Sequence, residues 1–185
     1  MNPTPAAAPP LSKPRWITQT ALFLALAIVL PVGLHAFGIA GRVFLPMHFP
    51  VLLAGFLVGP YSGLVVGLLA PGISYLTTGM PPTYAVPLMT LELPLYGLVA
   101  GLAYQRLQLN IYVALIAAMI VGRLMFGLGL FVLGMFMELP YGAVEFFSTA
   151  GPILTGIWGI IAQVVLIPLI VAAVRRSRQS EVGQG

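Results

Sequence analysis

Glu92, Arg123 and His48 are ionisable side chains set in stretches that are otherwise apolar. A charge in hydrocarbon costs ~2.5–3.5 kcal/mol or more, so each such group needs a partner, a water-filled cavity or a task. Two readings of Glu92 and Arg123 are compatible: an ion pair that locks two helices, or an arginine that holds an anionic or amide-bearing solute while the glutamate accepts its hydroxyl hydrogens. Arg42 and His48 fall in GRVFLPMHFP, where Pro46 and Pro50 stand two residues either side of the histidine. Two missing backbone donors predict an irregular helix start, and irregular backbone at membrane depth is tolerated only against protein or a water-filled cavity. That makes the stretch the rim of an outward-facing pocket; the alternative is a snorkelling arginine beside a packed histidine. Tyr84 and Trp158 have a similar expected depth and serve either as stacking walls or as interfacial belt residues. The candidate solute-binding set is therefore Arg42, His48, Tyr84, Glu92, Arg123 and Trp158.

The composition removes most other chemistries. Of 185 residues 59% are apolar and 6% charged, and the mean hydropathy is +1.04. No water-soluble domain of this length hides so much apolar surface, so the chain is a membrane protein. There is no cysteine and no aspartate, and the only carboxylate side chains are Glu92, Glu138, Glu145 and Glu181. Thiolate metal sites, disulfides and paired-carboxylate catalysis lose their raw material. No phosphate-cradling lysine motif and no HExxH occur, and His35 and His48 alone make a poor metal site. Ser74 in PGIS lacks the second glycine of a nucleophile elbow. The expectation is a protein that is not an enzyme and carries no cofactor or metal. The net charge of +4 comes from residues clustered at helix ends without aromatic interleaving, which argues against nucleic acid and for charge-directed membrane orientation.

The elements that must position these residues are helices. Residues 1–16 read as a disordered tail ending in a tryptophan anchor, and residues 175–185 as a basic tail. Between them, six apolar segments run from Ile17 to Phe37, Val43 to Val58, Tyr61 to Thr78, Ala85 to Gln105, Asn110 to Met137 and Pro152 to Val174. The expected fold is all-α with six transmembrane helices, the second and third short and kinked or partly unwound by proline. An even number of spans puts both termini on one side, with Lys13, Arg15, Arg106, Arg175, Arg176 and Arg178, against Arg42 alone on the other; that side is cytoplasmic. GLVVGLL from Gly63, GLVAGLA from Gly97, and Ala21 with Ala25 share a small-xxx-small spacing that lets helix backbones approach closely.

The stretch LPMHFPVLLAGFLVGPYSGLVVGLLAPGISYLTTGMPP, followed by LELPLYGLVAGLAY, resembles the integral-membrane S components of energy-coupling factor vitamin transporters, most closely the pantothenate-type branch. The most specific parts are Pro46 to Val51, Gly79 to Pro82 and Glu92 to Leu98, and the resemblance extends from the first helix to the sixth. It implies a subunit of the prokaryotic plasma membrane that captures a micronutrient from outside and associates with a T subunit and two cytoplasmic ATPases. It then topples in the membrane to release the solute inward. It also implies that Ala21 and Ala25 dock on the T subunit, and that FGIAGRVF and TTGMPPTY act as gates over the ligand. Pantothenate carries a carboxylate for Arg42 or Arg123, and an amide and two hydroxyls for His48 and Glu92. Folate and other anionic micronutrients need a cationic pocket too. A stand-alone channel is the alternative of a different class, and it requires a continuous polar stripe where the inner helix halves read as almost wholly apolar.

Overall fold

The computed structural model describes residues 12–36, 45–147 and 156–182. Arg42 and the whole of the first gate, FGIAGRVF, lie outside them. The described residues form seven α-helices and no strand: α1 (Lys13–Ala36), α2 (His48–Leu57), α3 (Pro60–Thr78), α4 (Ala85–Gly101, continued by a π-helical turn at Leu102–Arg106), α5 (Ile111–Leu133), α6 (Ala143–Phe147) and α7 (Ile157–Val182). Among the described residues, four stretches are long and apolar enough to cross a membrane: Lys13–Leu34, Ala85–Arg106, Ile111–Leu133 and Ile157–Ser177. With 10 residues, α2 is only ~15 Å long at ~1.5 Å per residue, half of a ~30 Å hydrocarbon layer.

Proline shapes these elements less than its count implies. Pro46 sits in the turn before α2, and Pro50 lies in the first turn of α2, where the backbone N–H groups have no intrahelical acceptor in any case. The irregularity expected around His48 is therefore confined to the approach, where Leu45 adopts a φ of 49°, and α2 itself is regular. Pro60 occupies the first turn of α3, a position its fixed φ favours. Gly59 before it has a φ of 142°, a conformation that L side chains rarely adopt, so the tight α2–α3 corner requires glycine there. At its other end α3 stops on Gly79 in the left-handed conformation, whose N–H donates to the Tyr75 carbonyl at 2.9 Å. Asn110 caps α5 by accepting from the Tyr112 N–H at 2.9 Å. At the far end of the chain, α7 continues without a break through Arg175 and Arg176 to Val182.

Helix α4 is the hub, packed against α3, α5 and α2; α1 lies on α3 and α2, and α7 on α2 and α5. The α3–α4 contact is built from glycine. Gly63 and Gly97 meet backbone to backbone, so that a Cβ on Gly97 would stand 2.5 Å from the Gly63 Cα. Gly67 abuts the Leu93–Pro94 backbone and Gly101 that of Pro60 in the same way. Where lipid is as apolar as leucine, such close approach supplies the dispersion contacts that hold helices together. A core of Val51, Leu52, Phe56, Val66, Leu93, Tyr96, Leu115 and Ile167 fills the centre. Large apolar side chains face outward, Val29 being 63% exposed and Leu124 60%, a surface that lipid must cover.

Two polar contacts lie at the end opposite the α3–α4 turn. The Thr20 and Ser62 hydroxyls share a buried hydrogen bond of 2.8 Å between α1 and α3. Gln105, on the π-helical turn, donates through Nε2 to the carbonyls of Phe56 at 2.9 Å and Gly55 at 3.3 Å, and so satisfies acceptors left open at the end of α2. At that same end Arg175 stacks over the Tyr104 ring, 4.4 Å from its centroid.

Candidate solute-binding site

Three helices bring His48, Glu92 and Arg123 to one point. Glu92 projects from the middle of α4, 1% exposed; His48 opens α2 at 2%; Arg123 lies midway along α5. Arg123 Nη1 stands 3.1 Å from Glu92 Oε1, and His48 Nε2 3.6 Å from Glu92 Oε2. The Arg123–Glu92 contact has the length of a hydrogen bond but not its direction, and Oε1 makes no hydrogen bond. The His48–Glu92 gap is longer than a hydrogen bond altogether. As a result Glu92 Oε1, Arg123 Nε and both ring nitrogens of His48 are buried without hydrogen-bond partners. Native interiors leave few such atoms, and each one costs ~1–3 kcal/mol if nothing fills it. Four of them in one cluster mark a place built for something polar.

Sequence reasoning passed over two neighbours of this cluster. Tyr96 follows Glu92 by four residues on α4 and so shares its face. Its ring meets His48 edge-on at 4.9 Å, and its hydroxyl lies beside the Glu92 carboxylate. The ring fits only because position 122 on α5 is glycine: a Cβ there would collide with the tyrosine ring. The four-residue spacing was the available signal. Phe146, on the short α6, sits 5.8 Å from the Arg123 guanidinium and packs against Phe126 at 4.8 Å and Tyr141 at 6.3 Å. Nothing in the stretch ELPYGAVEFFS distinguishes that phenylalanine from its neighbour, which wedges against Gly127.

The other candidates fall elsewhere. Tyr84 packs at the edge of the Leu88, Phe126, Leu130 and Phe146 cluster, among the residues that flank Arg123. Trp158 is 63% exposed on α7 and joins none of the ring contacts found around the cluster, so the structure gives no wall at that position. Ala21 and Ala25 are both exposed on α1, in a row beside the exposed Leu22 and Leu26. A cavity of about 620 Å³ opens at the loop end of the bundle, lined by Leu130, Met135, Met137, Glu138, Leu139 and Tyr141. Glu92, Arg123 and His48 do not line it. Leu130 and Tyr141 also pack on Phe146, which places an aromatic layer between this cavity and the ion pair.

An apolar exterior around a buried, partly unmatched polar cluster is an arrangement that suits a membrane protein binding a small solute. The family model described as "ECF transporter, substrate-specific component" matches residues 15–174. The chain belongs to that family, whose members are transporter subunits that bind substrate and work with T and ATPase modules. Neither the curated proteins nor the solved structures contain a significant match.

Proposed function

We propose that this protein is the solute-capturing S subunit of an energy-coupling factor importer for a water-soluble vitamin, with pantothenate as the first candidate. The observation that carries the reading is the convergence of His48, Glu92 and Arg123 with four buried, unmatched hydrogen-bonding atoms. A solute rich in hydroxyl and amide groups would meet those atoms, and the surrounding Tyr96 and Phe146 rings would cover its apolar parts.

On this reading the chain crosses the cell membrane six times, with α2 and the residues before it as the second span and α3 as the third. Both termini and the basic end with Arg106 and Arg175 face the cytoplasm, and the α3–α4 turn and α6 face outside. Ala21 and Ala25 present small side chains to a T subunit, which joins two ATPases; the S subunit contributes recognition and no hydrolysis. TTGMPPTY serves as a gate over the same pocket.

The test is isothermal titration of the detergent-purified protein with pantothenate, folate and other anionic micronutrients. The expected result is one-to-one binding of one compound, abolished or weakened at least about a hundredfold in Arg123→Ala. Folded protein that binds none of them, yet passes small solutes across vesicle membranes unaided, would replace this reading with a stand-alone channel.

A further inference from the structure

We infer that the part of the solute seated on Glu92, Arg123 and His48 is uncharged and carries hydrogen-bond donors beside acceptors, as a hydroxy-amide does, and that any carboxylate of the solute points away from this cluster. The inference rests on the solute-capture reading and specifies the chemistry of its inner end.

The argument is one of charge and of vacancies. A lone buried arginine would select a carboxylate. Arg123 is not alone, because its Nη1 already lies 3.1 Å from the Glu92 carboxylate, which is 1% exposed. The formal charges of Arg123 and Glu92 cancel. A second carboxylate at Arg123 would place two buried anions around one guanidinium, and like charges at such range are strongly disfavoured where water is excluded. The open positions point the same way. Glu92 Oε1 is an acceptor, Arg123 Nε is a donor, and the His48 ring carries at least one N–H donor. Open donors beside an open acceptor match a group that both gives and takes hydrogen bonds. A carboxylate only accepts, so it would leave the Glu92 oxygen unmet. The Phe146 ring over the guanidinium fills a place where a further anion would otherwise sit.

Two measurements on the full chain in detergent test this. In the first, the thermal midpoint is followed against sodium acetate, the probe for a bare carboxylate, at constant ionic strength. Wild type is expected to show no saturable shift, whereas Glu92→Gln, which frees the Arg123 charge, gains a saturable rise of roughly 3–6 °C when acetate reaches about ten times its Kd. A wild-type rise of that size that vanishes in Arg123→Gln overturns the inference. If Glu92→Gln does not fold, the wild-type titration decides alone. In the second, pantothenate is compared with its uncharged primary-alcohol counterpart in wild type and in His48→Gln. The affinity ratio of the two compounds is expected to be the same within about threefold in both proteins, because the carboxylate does not touch the cluster. A ratio that changes tenfold or more puts the carboxylate on the cluster and refutes the inference. If neither compound binds, the pantothenate assignment fails, and the acetate titration still decides the charge of the site.

Discussion

Replacing Gly97 by alanine tests whether backbone contact between α3 and α4 is what places Glu92. A Cβ on Gly97 would lie 2.5 Å from the Gly63 Cα, whereas ordinary contact begins at 3.4 Å, so the helices must part by at least 3.4 − 2.5 = 0.9 Å. The obstructing atoms are backbone, so no rotamer change relieves them. Overpacking of this kind costs about 1–3 kcal/mol, and at roughly 2–4 °C per kcal/mol for a chain of this size the thermal midpoint falls by about 4–8 °C for a mid-range cost. The site feels the same displacement, because Glu92 and Tyr96 ride on α4 while His48 and Arg123 are held by α2 and α5. A shift near 1 Å stretches the 3.1 Å Arg123–Glu92 ion pair to roughly 4 Å and weakens solute affinity by about ten- to a hundredfold. The assay is thermal unfolding followed by tryptophan fluorescence, then titration of the surviving protein. Gly72→Ala is the control: it lies in α3 with nothing within 4 Å of the added Cβ, and alanine in a helix gains about 0.5–1 kcal/mol over glycine. Its midpoint should rise by about 1–4 °C. If Gly97→Ala unfolds within a degree of wild type and binds equally well, glycine packing does not set the position of the site.

Other outcomes follow from single contacts. Arg123→Met leaves Glu92 buried without its partner and should destabilise by about 3–5 kcal/mol, while Arg123→Met with Glu92→Met regains most of that stability and still binds nothing, as thermal unfolding and titration of both variants would establish. Gln105→Ala leaves the Gly55 and Phe56 carbonyls at the end of α2 without their donor and should cost about 1–2 kcal/mol, seen as a thermal midpoint lower by about 2–8 °C, with solute affinity nearly unchanged. Ala21→Trp adds bulk to an exposed strip, so binding in detergent should persist while uptake in cells carrying the T and ATPase subunits is lost. If binding is lost and complex formation persists, the helix-face assignment is wrong.

The helical fold and the polar pair were legible in the sequence because membrane chemistry makes them so: apolar runs must be helices, and a buried Glu92 and Arg123 must find company. The direct contact between them, and the arrival of His48, depend on helix rotation and on the glycine-tight approach of α4. A single sequence shows glycine spacing but not which backbone each glycine meets. Pro50 misled for a related reason: its missing donor matters only inside a helix, and the structure begins α2 just before it. Trp158 was placed by depth alone, and depth says nothing about which side of α7 faces the bundle. Phe146 reaches Arg123 through α6, a five-residue helix too short to announce itself in any periodic pattern.

The Thr20–Ser62 hydrogen bond has a bearing on partner selection. In a helix each residue is rotated by about 100° from the last, so pinning Thr20 toward α3 fixes where Ala21 and Ala25 point around the α1 axis. Phe23, Leu24 and Ala27 of α1 meet the core through apolar contacts that tolerate slippage. One hydroxyl pair, fully satisfied within the bundle, thus acts as an azimuthal key: it decides which stripe of an otherwise greasy cylinder is shown to the surrounding bilayer. Thr20→Val would keep the helix and the volume, leave the buried Ser62 hydroxyl without its partner, and free the angle.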